Sequence, residues 1–497
     1  MKLNLRSKYL ISTLIWIAAT LFLFIIFAKA NPAIHKRIYI FSILFGAELY
    51  LWIRIKSTFS LFNSTFERRK DGCKIAVTAL YWLPAAIAII YLLHIYFIGI
   101  QHLNKTWYSN ILGAILMIYL AKGVSCVLLI CGEIISLICR KRSGNPEYLL
   151  ITRKKILPLS TMLFFAILIG TLPFYATRSH FRTTRHTWNI LPQNFAIDSL
   201  KAVHISDLHL CTWNGTKAME HLVNKINKEN ADFIFITGDL VHFTSDEIIP
   251  YLNILNQLRA TYGVFSIMGN HDYSRYAHFD TESDRLKDIE QNINFQQEMG
   301  WHVLRNENCK IAVDSLGNCI TIAGLEYWSP AKPSISFGDF VKTYQNVSDS
   351  DFVILLTHAP QGWRDALDRN YPAQLTLSGH THGMQLGILT DKWKFSPGAL
   401  RYQEWGGKYE QDGNILYVNV GLASAGIPIR VGMLPEIGVY TLGKSAKQKK
   451  NNFLRYLAVD AGECAQSIRD SSSNWFTYPN HHSGVTIPEC VIPTFIF

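Results

Sequence analysis

The run from Tyr9 to Ala28 contains no charged residue and is bracketed by Lys8 and Lys29. A stretch of that length suits one helix across a hydrocarbon layer about 30 Å thick, where every backbone polar group must be bonded within the segment. Ala28-Lys29-Ala30 resembles the end of a cleaved leader, but the length of the run and the spans behind it favour a retained helix. Three more runs repeat the pattern: Ile75 to Ile100, Ile111 to Cys139 and Ile156 to Ala176. A fifth, Ile38 to Ile53, is shorter and holds Glu48, so it either spans or re-enters. The expectation for residues 1–177 is therefore an all-α, polytopic, multi-pass membrane region of about five helices.

Charge supports this division. Residues 1–190 hold 23 Lys+Arg against 5 Asp+Glu, whereas the remainder holds 25 against 32, so the net charge of +11 comes wholly from the apolar half. Basic residues flanking apolar spans act as topology signals, and a nucleic-acid-binding surface is a poor explanation for them. With the N-terminus inside, the inner loops carry fifteen Lys+Arg, against seven in the outer ones. Five spans then put everything after Ala176 on the far side of the membrane, giving an extracytoplasmic domain.

Residues 178–199 are polar, lack a sustained period and read as a linker. From Leu200 the texture becomes α/β: short apolar runs alternate with amphipathic ones up to about residue 443. Strands are expected at Lys201–Ile205, Asp232–Thr237, Val264–Met268, Phe352–Thr357, Gln374–Leu377 and Ile415–Val420. Helices are expected at Gly215–Lys228, Asp246–Arg259 and Thr281–Met299. The tail, residues 444–497, opens with a basic run and has no pattern that specifies a fold. Cys309 and Cys319 flank a turn and are equally compatible with a disulfide or two free thiols.

Five of the apolar runs end in residues that bind hard or borderline metals. They are Asp207-Leu208-His209, Gly238-Asp239, Gly269-Asn270-His271-Asp272, Thr357-His358 and Gly379-His380-Thr381-His382. An isolated His-x-His at a strand end has little specificity; five such ends in order are not a chance pattern. Asp239 suits a carboxylate that bridges two cations, with Asp207, His209 and His382 on one metal and Asn270, His358 and His380 on the other. Oxygen and nitrogen ligands without thiolate suit Mn, Fe, Zn or Co. His271 follows a ligand immediately and can reach a leaving-group oxygen as an acid, with Asp272 placed to orient it.

Together these motifs resemble the signature of the calcineurin-like metallophosphoesterases, over roughly Leu200 to Leu442. Gly383-x-Gln385 and the segment from Gly426 through Ile437 further resemble the membrane-associated bacterial branch, which includes a transmembrane protein with a metallophosphoesterase domain. The resemblance implies a β-sandwich flanked by helices, with two divalent metal ions at the strand ends. It also implies a phosphate-ester substrate. Met384, where that branch often has glycine, and the tail after Lys444 depart from the pattern. An anchored enzyme would act on a phosphodiester or pyrophosphate that is lipid-linked or otherwise close to the bilayer. The competing expectation is a membrane transport or sensor protein whose phosphoesterase domain is regulatory or inert. Arg430, His242, His278 and Arg275 could each touch substrate phosphate, with a solvated loop residue as the favoured reading for each; Arg430, after a Gly/Pro-marked loop, is the strongest candidate for binding substrate.

Overall fold

The computed structural model describes residues 46–56, 71–97, 105–145, 147–148, 155–176 and 180–445, apart from Asn214, 331–335, Asp391 and 426–428. The run from Tyr9 to Ala28 and the tail from residue 446 lie outside the described residues, as does Gly426 to Pro428.

Among the described residues before the α/β domain, 46–56 are helical and three further helices follow: α1 (Asp71–Phe97), α2 (Lys105–Ser143) and α3 (Leu157–Ala176). Among the described residues α2 alone is long and apolar enough to cross a membrane, while Ile75–Tyr91 and Leu157–Gly170 are shorter apolar stretches. At 1.5 Å per residue, the 39 residues of α2 extend about 58 Å, roughly twice the apolar thickness of a bilayer. Small residues let α3 approach it closely. A Cβ on Gly132 would meet Ile156 Cδ1 at 2.3 Å, and Ser125 Oγ donates to Ser160 O at 3.0 Å. Charged groups within this region are paired: Lys122 bonds to Glu48, and Arg54 to Glu133. Pairing lowers the cost of placing these charges among apolar helices.

The α/β domain contains two six-stranded mixed sheets. Parallel strands β2 (Ser199–Ile205), β3 (Phe233–Ile236), β4 (Val264–Ile267) and β5 (His302–Leu304) form most of the first. Parallel β7 (Cys319–Leu325), β8 (Phe352–Thr357), β9 (Leu375–Ser378) and β13 (Asn414–Val418) form the centre of the second, with β6 (Glu307–Ala312) and β12 (Gly407–Gln411) on its edges. Alternation explains the layering. Phe233 and Phe235 join a core shared with Ile354, Leu356, Leu375 and Leu377 of the second sheet. Ile234 and Ile236 instead pack with Met219, Leu222 and Ile226 of α4 (Thr216–Asn227). Strands buried on both faces read as unbroken apolar runs, which is why these strands are visible in the sequence.

Part of the stretch expected as a linker is a strand. β1 (Arg182–Leu191) pairs in parallel with β14 (Glu436–Lys444), which pairs antiparallel with β2. As the edge of the sheet, β1 buries only Trp188 and Leu191 fully, so its sequence stays polar enough to conceal its period. The expected helix Asp246–Arg259 is broken into turns at Ser245–Glu247, Ile249–Tyr251 and Leu252–Leu255, with Pro250 where continuous helix would need a backbone donor. Cys309 and Cys319 face Ile322 and Ala312 across the β6–β7 hairpin and are free thiols.

Candidate metal centre

Parallel strands deliver their C-terminal ends to one place. The loops after β2, β3 and β4 carry Asp207, His209, Asp239 and Asn270, and those after β8 and β9 carry His358, His380 and His382. The turns are tight. Asp207, His209, Asp239, His380 and His382 all have positive φ, between 37° and 72°, a conformation that non-glycine residues adopt at a cost and that concentrates at functional sites. Gly379 makes room for them: a Cβ there would lie 1.9 Å from Ser206 Oγ and 2.4 Å from Asp207 Oδ2.

Two groups of donors converge. In the first, His382 Nε2 lies 3.1 Å from Asp207 Oδ1 and 3.2 Å from His209 Nε2. In the second, His358 Nε2 lies 3.2 Å from Asp239 Oδ2, which is also 3.6 Å from His209 Nε2. Asp239 thus faces both groups, as a bridging carboxylate must.

Several buried atoms here are left without a well-formed hydrogen bond: Asn270 Oδ1, and Asp207 Oδ1 and His358 Nε2, which face only His382 Nε2 and Asp239 Oδ2 within the cleft. Buried polar groups are rarely left so, and three orphans aimed into one cleft fit divalent cations. The surroundings fix which atoms point inward. His358 Nδ1 donates to Thr237 O at 2.6 Å, leaving the Nε2 lone pair for a metal. Asn270 Nδ2 donates to Tyr276 Oη at 3.0 Å, turning its oxygen to the cleft. His380 Nε2 is 3.5 Å from Tyr402 Oη.

The two residues expected to do acid chemistry part company. His271 borders the site, its Nδ1 held 2.8 Å from His242 O and its ring stacked 4.1 Å from that of Tyr276. Burial lowers its pKa below the ordinary histidine value, against the pull of Asp239. Asp272 does not orient it. Its carboxylate accepts from the backbone N–H groups of Asp239 at 2.7 Å, Gly269 at 2.8 Å and Val241 at 3.1 Å. Asp272 therefore ties two ligand loops together.

Arg430 is not in open reach of a substrate. Its buried guanidinium donates to Ala423 O and Val420 O and lies 3.1 Å from His382 Nδ1, where it fixes that ring's position.

His242 is not solvated. It is buried, with Nδ1 3.1 Å from His209 Nδ1 and its ring stacked on His271. Tyr276, Tyr327 and Tyr402 wall the side of His380 and His271. No sequence period marks these four residues. The one usable signal is that His242 follows Asp239 by three positions and so leaves the same strand end.

A site of Asp, Asn and His on the ends of parallel strands in two sheets has the donors of a metal-dependent hydrolase. The profile described as Calcineurin-like phosphoesterase matches residues 200–384. The Bacillus subtilis protein YkuE, named an uncharacterized metallophosphoesterase, is 31% identical over 273 residues, covering 52% of this chain and 85% of that protein. YkoQ of the same organism, with the same description, is 28% identical over 289 residues, covering 56% and 97%. A Danio rerio transmembrane protein with metallophosphoesterase domain is 28% identical over 255 residues, 50% of this chain and 53% of that one. The chain belongs to the calcineurin-like phosphoesterase family and is a phosphoesterase hydrolase.

Proposed function

We propose that the chain is a membrane-anchored, two-metal phosphohydrolase that cleaves a phosphodiester or pyrophosphate of a membrane-proximal substrate on the extracytoplasmic side. One observation carries the anchoring. Lys105, the first residue of α2, bonds to Thr244 and Asp246 on the loop that follows His242, and Tyr108 packs edge-on against Phe243. The start of the long apolar helix therefore touches the wall of the metal centre, while its excess length spans from there into the bilayer.

The same helix supports the sidedness. Its far end carries Arg140, Lys141 and Arg142, and Arg153, Lys154 and Lys155 follow before α3 returns. So basic a loop favours the cytoplasm, placing Lys105 and the domain opposite. This reasoning does not depend on whether Ile38 to Ile53 crosses.

In the mechanism, Asp207, His209, Asp239 and His382 would hold one cation and Asp239, Asn270, His358 and His380 the other. When bound, such a pair polarises a phosphoryl oxygen and brings water's pKa toward neutrality. His271, with Nδ1 pinned as donor to His242 O, turns Nε2 to the cleft, and it can give a proton to the leaving oxygen from that atom only in its imidazolium form, returning to the neutral Nδ1–H tautomer. Tyr276, stacked on it, restricts the ring to that edge.

The test is turnover of aryl monoester, aryl diester and pyrophosphate substrates by the full-length protein in nanodiscs, with Mn or Zn supplied, alongside metal analysis. Diester or pyrophosphate cleavage with two ions per chain supports the reading. Lack of metal and of turnover on all three substrates refutes it.

A further inference from the structure

Between His382 and Tyr402 the chain makes a small hairpin, β10 (Ile388–Leu389) against β11 (Lys394–Phe395). Its two faces differ. Leu389 is buried with Trp405, Val420 and Met433, rooting the hairpin in the domain. On the other face Ile388 sits directly opposite Phe395, and both are exposed. Leu386 and Trp393, two residues before Ile388 and Phe395 respectively, are exposed as well, as are Met384 and Leu400 in the flanking turns, with Trp393 72% and Leu400 94% exposed. Among the described residues elsewhere in the domain, exposed apolar side chains such as Ile249, Leu316 and Val341 lie far apart in sequence. Contiguous exposed apolar surface marks an interaction site, whereas single residues do not.

We infer that this hairpin seats in the lipid leaflet and presents the metal centre to the phosphoester of a lipid-anchored substrate, an inference that rests on the hydrolase reading above. Three observations select a bilayer as the partner. Arg182 bonds to Leu389 O, and Arg182 lies six residues beyond Ala176, the last residue of α3, a chain length that reaches at most roughly 20 Å. The hairpin is thus held where the chain leaves the apolar helices. Its composition is that of an interfacial anchor: Trp393 in the turn between the two strands and Phe395 on the outer face lie close in sequence to exposed Lys392 and Arg401, which suit headgroup phosphates. Lys394 turns inward instead, donating to Lys408 O at 3.0 Å, so the apolar tip is left open.

The hairpin is wired to the site at both ends. Ser396 Oγ donates to Gly383 O at 2.6 Å, beside the ligand His382. Tyr402 Oη, one residue beyond Arg401, faces His380 Nε2. A tip at headgroup depth therefore sets the cleft at the depth where lipid phosphates lie.

The experiment uses the full-length chain in nanodiscs of phosphatidylethanolamine and phosphatidylglycerol. First, with the native cysteines replaced, Trp393→Cys carries an environment-sensitive fluorophore, and Ser350→Cys serves as the control. Doxyl-labelled lipid should quench position 393 and leave 350 unaffected. Second, the double variant W393S/F395S should lose roughly tenfold or more in kcat/KM on a phosphodiester carried by a phospholipid. Its turnover of bis(4-nitrophenyl) phosphate should stay within about twofold, because the apolar tip holds lipid and not the soluble ester. Unquenched fluorophore at 393, or an equal loss on both substrates, overturns the inference. Failure of the wild-type chain on both substrates would instead strike the hydrolase reading, while the quenching result still reports on the seat.

Discussion

His242 Nδ1 lies 3.1 Å from His209 Nδ1, so one of the two nitrogens must donate to the other. With His209 Nε2 turned to the cleft, the proton belongs on His209 Nδ1 and His242 accepts it. That bond fixes the tautomer in which His209 can bind a cation.

Replacing His242 by Ala removes the acceptor and the ring that stacks on His271. Loss of such a supporting partner costs 10–100-fold in metal affinity or activity, so a drop on the order of that size is expected. Metal titration of the purified chain checks it, and unchanged affinity would show that His209 needs no such support.

Asp239→Asn should be more severe. A neutral amide bridges two cations poorly, and Asp239 Oδ1 also accepts from His271 N at 2.9 Å. Well under two ions per chain, and no measurable hydrolysis, are expected by mass-based metal analysis and turnover.

His271→Ala separates acid catalysis from metal binding. The metal content should hold, while substrates with poor leaving groups slow by roughly 10²–10⁴ and nitrophenyl esters lose far less. An equal loss on both kinds of substrate would remove His271 from the acid role.

Acidification should strip the metals. In the metal-free protein, burial disfavours the His358 imidazolium, but Asp239 at 3.2 Å outweighs it and raises the pKa to about 9. Below that pH a cation must displace a proton from Nε2; above it there is none to displace. Apparent affinity should therefore be flat above about pH 9 and fall about tenfold per unit below it through this group. Competition with a chelator from pH 9 to 6 measures the slope, and a flat profile would contradict a ligand role for His358.

The residues that converge on the cleft were legible because each follows a strand buried on both faces, and such strands leave unbroken apolar runs. What packs only in three dimensions was hidden. β1 is an edge strand with polar neighbours in sequence, and Pro250 breaks a periodic stretch into separate turns. Asp272 lies beside His271 in sequence, yet its carboxylate points back to the turn at Gly269 and across to the Asp239 loop. Arg430 looked available because a loop residue's burial cannot be read from spacing. Its partners, Val420 and Ala423, are backbone carbonyls, which every residue possesses and no motif marks.

The sidedness is open to direct measurement. Ser143 ends α2 beside Arg140, Lys141 and Arg142, and Ser350 sits on an exposed turn of the α/β domain; both are solvent-exposed. With the native cysteines replaced, Ser143→Cys and Ser350→Cys are each treated in intact cells with a membrane-impermeant maleimide. In the proposed orientation the basic loop keeps Ser143 in the cytoplasm, so 350 should label and 143 should not until the membrane is permeabilised. The reverse pattern would put the metal centre in the cytoplasm and move the substrate to the inner leaflet. Labelling at both positions in intact cells would mean that α2 does not cross. The contact of Lys105 with Asp246 would then be a packing contact within one compartment, and the anchored reading would fall with it.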